Sequence, residues 1–222
     1  MGLALAEALP DIHLEVCEKD AAVRAFWEVL TDHSATKELA ARVRRHTPTC
    51  RSYTRHKNTP LAGAGIIDLA FRALLLNRCS HSGRGGGPIG GWDQQGKWKI
   101  DARWNPAKLA TKLRETNVLL AGRFRVSDLL AFEYIAAASA ETFLYCDPPY
   151  IAAGSGLYQH AMTLLEHRQL AILLRARSNW VLSYDDHPEV RRLYAGRCVG
   201  ILEVLGAAPL GGGRKTTELL IC

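Results

Sequence analysis

From residue 11 onward, short apolar runs alternate with longer stretches in which apolar residues recur every three or four positions. The short runs predict strands and the longer stretches predict helices. "IHLEVCEKD" reads as a strand finishing on acids, and "DAAVRAFWEVLTDHS" has helical spacing. Further along, "GIIDLAFRALLLNR" and "AKLATKLRETNVLLA" predict helices, "FRVSDLL" a short strand ending near Asp128, "AFEYIAAAS" a helix and "TFLYC" a strand. "LLEHRQLAILLRA", "WVLSY", "PEVRRLYAG", "CVGILEVL" and "TELLIC" then read as helix, strand, helix and two terminal strands, the last two joined across "GGGRK". Ahead of all these, "GLALAEAL" reads as a helix end stopped by Pro10. Alternation of this kind predicts an α/β fold with a doubly wound sheet.

Two stretches interrupt the alternation and predict an inserted lobe. Residues 37–57, "KELAARVRRHTPTCRSYTRHK", hold seven Lys or Arg against the single acid Glu38, with Tyr53 among them. Taken alone, they read as a solvated helix face followed by a loop. The second stretch, "CSHSGRGGGPIGGWDQQGKWKIDARWNP", sets seven glycines and three tryptophans among Arg84, Lys97, Lys99 and Arg103. Its glycines suit a backbone fitted closely to a partner and argue against an ordinary core element, and "WDQQGKWKI" has the composition of a hairpin. An exposed loop is the competing reading.

Charge changes the picture modestly. With 222 residues and 48% hydrophobic content the chain can bury one sizeable core, and a net charge of +6 suits a polyanion such as nucleic acid. Six cysteines fall singly, without CxxC pairs or metal spacing, and read as reduced core thiols in a cytoplasmic protein. His160, His167 and His187 have no carboxylate at metal spacing and read as polar loop or surface residues, so no metal is expected. The opening residues carry Glu7 and no basic run, so neither a signal peptide nor a membrane span is expected.

The candidate chemistry lies at 143–150, "FLYCDPPY", where an apolar strand runs into an acid, two prolines and a tyrosine. Open α/β sheets bind ligands at the carboxyl ends of their strands, where Asp147 falls. A carboxylate only accepts hydrogen bonds, and Pro148 and Pro149 lack N–H groups and hold a rigid turn, so the site projects acceptors. Such a set of acceptors suits a planar exocyclic amine: gripped at its two N–H groups, the amine can pyramidalise and present its lone pair. Tyr150 offers a face on which a base can stack.

"DPPY" after an apolar strand resembles the catalytic motif of amino-directed DNA methyltransferases. "FRALLLNRCSHSG", "GPIGGWDQ" and "IDARWNP" ahead of it, and "LYQHAMTLLEHRQLA", "WVLSYDDHPEVRRLY" and "GGGRKTTELLI" after it, are similar in order to segments of Dam-type adenine-N6 methyltransferases, covering most of residues 11–222. The resemblance implies a Rossmann-like methyltransferase sheet with an inserted target-recognition lobe in a bacterial or phage-encoded protein. Residues 1–36 would be a partial cofactor-binding half, 37–105 would include the recognition lobe, and 106–222 would be the catalytic half. Asp147 and the Pro148 carbonyl would hold the adenine N6 amine, Pro149 would keep the turn rigid, and Tyr150, helped by Tyr158, would stack on the flipped base. S-adenosylmethionine would meet Glu18 at its ribose and Asp128 near its adenine, with Asp147 also among the residues that bind it. Arg44, Arg45, Arg51, Arg55, Lys57, Arg84, Lys97 and Lys99 would lie against duplex DNA. The family begins with a strand and an F-x-G-x-G-type loop, whereas "MGLALAEAL" resembles the helix that follows that loop, so the first central strand is expected to be missing. That departure supports an alternative, a truncated or inactive DNA-binding remnant; a further one is methylation of cytosine N4, where Ser more often precedes the prolines.

Overall fold

Asp20 accepts from the backbone N–H groups of Ala22 and Val23, and Asp32 from that of Ala35, so two short-chain acids start two of the helices. The chain is described here by a computed structural model covering residues 2–81, 83, 85–151, 161–205 and 215–222. It divides into two units, Met1–Leu130 and Ala131–Cys222.

The first unit contains α1 (Gly2–Ala8), β1 (Leu14–Val16), α2 (Ala21–Val29), α3 (His33–Arg45), α4 (Cys50–Asn58), α5 (Ile66–Cys79), α6 (Pro106–Leu120) and β2 (Phe124–Val126). Its core is helical: Val29 at the end of α2, Leu30 just after it, Leu39 and Val43 of α3, Phe71 and Leu75 of α5 and Leu113 of α6 share one buried cluster. β1 and β2 form a parallel pair with Val16 opposite Val126. The stretch read as a loop after the basic helix is instead α4. Thr49 and Ser52 form a reciprocal capping box there, and Tyr53 is wholly buried with its hydroxyl donating to the Gly86 carbonyl at 2.8 Å. Local charge argued for solvent, and one inward tyrosine decided otherwise.

The second unit contains α7 (Ala131–Ala137), β3 (Leu144–Cys146), α8 (Leu164–Arg175), β4 (Trp180–Asp185), α9 (Pro188–Leu193), β5 (Val199–Leu205) and β6 (Lys215–Ile221). Its four strands run in the order β3-β4-β6-β5, parallel at β3–β4 and antiparallel beyond. Leu144, Leu182, Tyr184, Leu219 and Ile221 of the sheet are buried with Leu170, Leu174, Val190 and Leu193 of α8 and α9. That face supplies the core.

The mixed α/β class expected from the alternation is present, with the strands divided between a two-stranded and a four-stranded sheet. Residues 1–130 hold 20 Lys or Arg against 13 Asp or Glu, and residues 131–222 hold 8 against 9, so the whole positive excess belongs to the first unit. Among the described residues no helix is long and apolar enough to cross a membrane.

Candidate active site

β3 is a three-residue strand, and Asp147 is the first residue past its end. The sheet register places β4 alongside, with Cys146 opposite Leu182, so Ser183 comes level with Asp147. Ser183 donates its hydroxyl to Asp147 Oδ1 at 2.8 Å, and Tyr145 Oη lies 3.1 Å from the same Oγ. Because a carboxylate only accepts, Ser183 spends its proton on Asp147, and Tyr145 must be the donor to Ser183. Ser183 is buried while Asp147 is exposed, so an inward hydroxyl steadies an outward carboxylate.

The turn that follows is tied to the next strand end. Ile151 N–H donates to Asp185 Oδ1 at 3.2 Å, and Tyr150, half-buried, packs against the core with its ring 6.2 Å from that of Tyr184. Tyr184 in turn hydrogen-bonds His167 Nδ1, and both are buried. Burial raises the Tyr184 hydroxyl far above the ordinary tyrosine range and lowers the His167 imidazole, although Asp185 and Glu166 pull the imidazole back up. The phenol therefore keeps its proton and donates it to a neutral ring. His167 is a core group, not the surface residue expected, because α8 turns it inward beneath β4. His187 accepts from Glu189 N–H as the cap of α9. Tyr158 and His160 lie outside the described residues.

A groove of about 530 Å³ in the same unit is lined by Arg168, Arg175, Arg192 and Glu189, among others, and includes none of Asp147–Tyr150. Arg192 grips Glu189 through two bonds of 2.7 and 2.8 Å, Arg168 stands 3.5 Å from it, and the Glu189 carboxyl is held down at about 2.

In the first unit, Glu18 and Asp128 each follow the last paired residues, Val16 and Val126, by two positions, so parallel pairing brings both acids to the same sheet edge. Neither carboxylate is idle: Glu18 Oε1 accepts from Asp20 N–H at 2.8 Å, and Asp128, with its side chain 99% exposed, pairs with Arg24 at 2.7 Å. Carboxylates at the carboxyl ends of parallel strands offer acceptors to hydroxyl donors.

Of the basic residues, Arg44 and Arg45 sit in the last turn of α3, where cations favour the helix C-terminus, and Arg51 and Arg55 lie one turn apart on α4; all four are exposed. Lys57 and Lys99 donate to the carbonyls of Gly86 and Gln94 at 3.1 and 2.6 Å, and exposed Lys97 lies over the Trp98 ring at 5.6 Å. Arg84 lies outside the described residues. Arg103 is half-buried and turned to the backbone: it donates to the carbonyls of Asn77, Arg78 and Ser80 and so closes the C-terminal end of α5.

The glycine- and tryptophan-rich stretch is no hairpin. Its described residues form turns and one isolated bridge, Ser80 to Pro88, organised around Gln94. The Gln94 amide donates to the Ile89 and Gly91 carbonyls at 2.8 and 2.5 Å and accepts from Ile100 N–H at 2.8 Å, while its backbone takes φ of 55°. Gly90, at φ +85°, allows this closure, since a Cβ there would stand 2.5 Å from the Trp98 carbonyl. Nor is the stretch all surface: Ile89, Ile100 and Trp104 are buried, and Trp104 Nε1 donates to the His46 carbonyl at 3.0 Å. Trp92 and Trp98 remain 57% and 42% exposed.

Sequence reasoning missed Ser183 and Gln94. The "LSY" of β4 was legible as a strand, yet nothing local assigns its serine to Asp147, and an amide that completes a loop has no periodic signal. Compared with known proteins, the chain matches no family model and no curated protein.

Proposed function

We propose that this chain is built for methyl transfer from S-adenosylmethionine to the N6 amine of adenine in duplex DNA, on a Rossmann-like sheet with the first unit supplying the DNA contacts. The observation that carries this reading is the Ser183-steadied carboxylate of Asp147 at the end of β3, followed at once by Pro-Pro-Tyr. Asp147 and the Pro148 carbonyl accept hydrogen bonds from the two amine N–H groups and favour the pyramidal nitrogen. Tyr150, backed by Tyr184, offers the base a face. Glu18 and Asp128 would hold the cofactor, which supplies the methyl group as an electrophilic sulfonium. The residues of the turn orient the amine, and no protein side chain forms a covalent bond. Alignment of reactants of this kind is worth on the order of 7 to 11 kcal/mol over free encounter.

A second reading, DNA binding without transfer, is favoured by one observation. Each of the parallel strands β1–β4 leads into a turn with an acid, Glu18, Asp128, Asp147 or Asp186, rather than into a glycine loop that could approach a cofactor. The test is incorporation of labelled methyl from S-adenosylmethionine into unmethylated duplex DNA, followed by nucleoside analysis. Wild-type chain should yield N6-methyladenine and Asp147→Ala should lose about 10²- to 10³-fold of the rate. Equal rates would overturn the assignment of Asp147, N4-methylcytosine would move the substrate to cytosine, and DNA binding with no incorporation would select the second reading.

A further inference from the structure

Two of the six cysteines meet at one end of the β5–β6 ladder, and nothing in the proposed transfer uses them. Cys198 immediately precedes β5 and Cys222 immediately follows β6, in register with the Val199–Ile221 pair. Each N–H donates to the other's carbonyl at 3.2 Å, which makes them a hydrogen-bonded antiparallel pair. Such pairs hold their Cα atoms about 5.5 Å apart, within the range a disulfide spans. Both cysteines are exposed rather than the core thiols that the sequence predicts. The remaining four thiols differ: Cys79 is buried, Cys17, Cys50 and Cys146 are half-buried, and Cys50 points to the Gly91 carbonyl at 4.0 Å.

We propose that Cys198 and Cys222 form a reversible dithiol–disulfide site that responds to low-molecular-weight disulfides such as oxidised glutathione. One thiolate attacks the glutathione disulfide, forming a mixed disulfide and expelling one reduced glutathione. The other thiolate then attacks the protein sulfur of that mixed disulfide and expels the second. Two electrons pass from the cysteine pair to glutathione, and the two departing glutathione thiolates take up the protons that the cysteines lost. Hydrogen-bonded pairs hold their Cβ atoms about 4.5 to 5.5 Å apart, whereas disulfides favour about 3.5 to 4.5 Å. Closure therefore draws the strand ends together, and the bond belongs to the strained, exposed and easily reduced class. The register makes intramolecular closure the favoured outcome.

The experiment equilibrates the full chain in buffers of graded oxidised and reduced glutathione, quenches with acid, alkylates free thiols and maps the peptides by mass. The expected result is loss of two of the six thiols, a Cys198–Cys222 crosslink within one chain, and full reversal by excess reduced glutathione. In the oxidised form, amide exchange along β5 and β6 should slow. Cys198→Ser and Cys222→Ser should each stop at a mixed glutathione disulfide on the remaining partner. If Cys198 and Cys222 both stay open to alkylation at the most oxidising ratio, or if crosslinks form between chains at every protein concentration, the inference is overturned.

Discussion

Residues 1–130 and 131–222 differ in how they carry charge and in what that charge faces. The first unit holds 20 basic residues against 13 acidic and displays Arg44, Arg45, Arg51 and Arg55 on two consecutive helices. The second is balanced at 8 against 9, its α9 arginines locked onto Asp186 and Glu189, and it presents an exposed carboxylate steadied from within. On the proposed reading, the first unit supplies the charge that suits a polyanion and the second supplies the acceptor for an amine.

Charge removal should separate the two units most sharply. On the proposed reading, replacing Arg44, Arg45, Arg51 and Arg55 by Gln together should lower duplex DNA affinity about 10³-fold at 0.1 M salt and flatten the salt slope by about four, since each phosphate contact contributes about 0.9. Replacing Arg168, Arg191 and Arg192 should leave the slope unchanged, because these groups already face acids. Fluorescence anisotropy across a salt series measures both, and equal slopes for the two sets would erase the contrast.

Within the first unit, Trp104 and Trp92 test where the lobe's core ends. Trp104→Ala should cost about 3 to 5 kcal/mol in urea unfolding, as a buried indole leaves a cavity and an unsatisfied His46 carbonyl. Trp92→Ala should stay within about 0.5 kcal/mol.

Acid should unsettle the first unit before the second. Burial first, then Arg42 and Arg55, hold His56 down to about 4, and the same causes lower His46. The folded state then binds fewer protons than the unfolded one, so stability present above about pH 6.5 is lost as pH falls toward 4. Solvent screening at these half-buried rings limits the loss to about 1 to 2 kcal/mol. His56→Gln should flatten that slope in urea midpoints taken from pH 7 to 4. In the second unit, Asp185 and Glu166 oppose the depression of His167 and leave it a weaker acid sensor.

A modest loss is expected at Ser183. Ser183→Ala removes the donor to Asp147 and should cost about 1 kcal/mol of stability and, on the proposed reading, about a tenfold fall in methyl transfer at unchanged DNA affinity. An unchanged transfer rate would show that Asp147 needs no such support.

Nearly all the helices and strands were legible in the sequence, because local periodicity is what those elements require. Asp147 was legible for the same reason: a short apolar run broken by an acid and two prolines marks a strand end and a rigid acceptor turn. Composition could not distinguish Trp104, inside, from Trp98, outside, nor show that Tyr53 in the most basic segment turns fully inward. Tertiary structure alone decided that Ser183 stands beside Asp147, that Glu18 and Asp128 share one sheet edge, and that Cys198 faces Cys222. Those pairings depend on register between segments up to about a hundred residues apart, and register is set when apolar faces are buried together. Residue order encodes each strand, but only the assembled sheet determines which residues become neighbours.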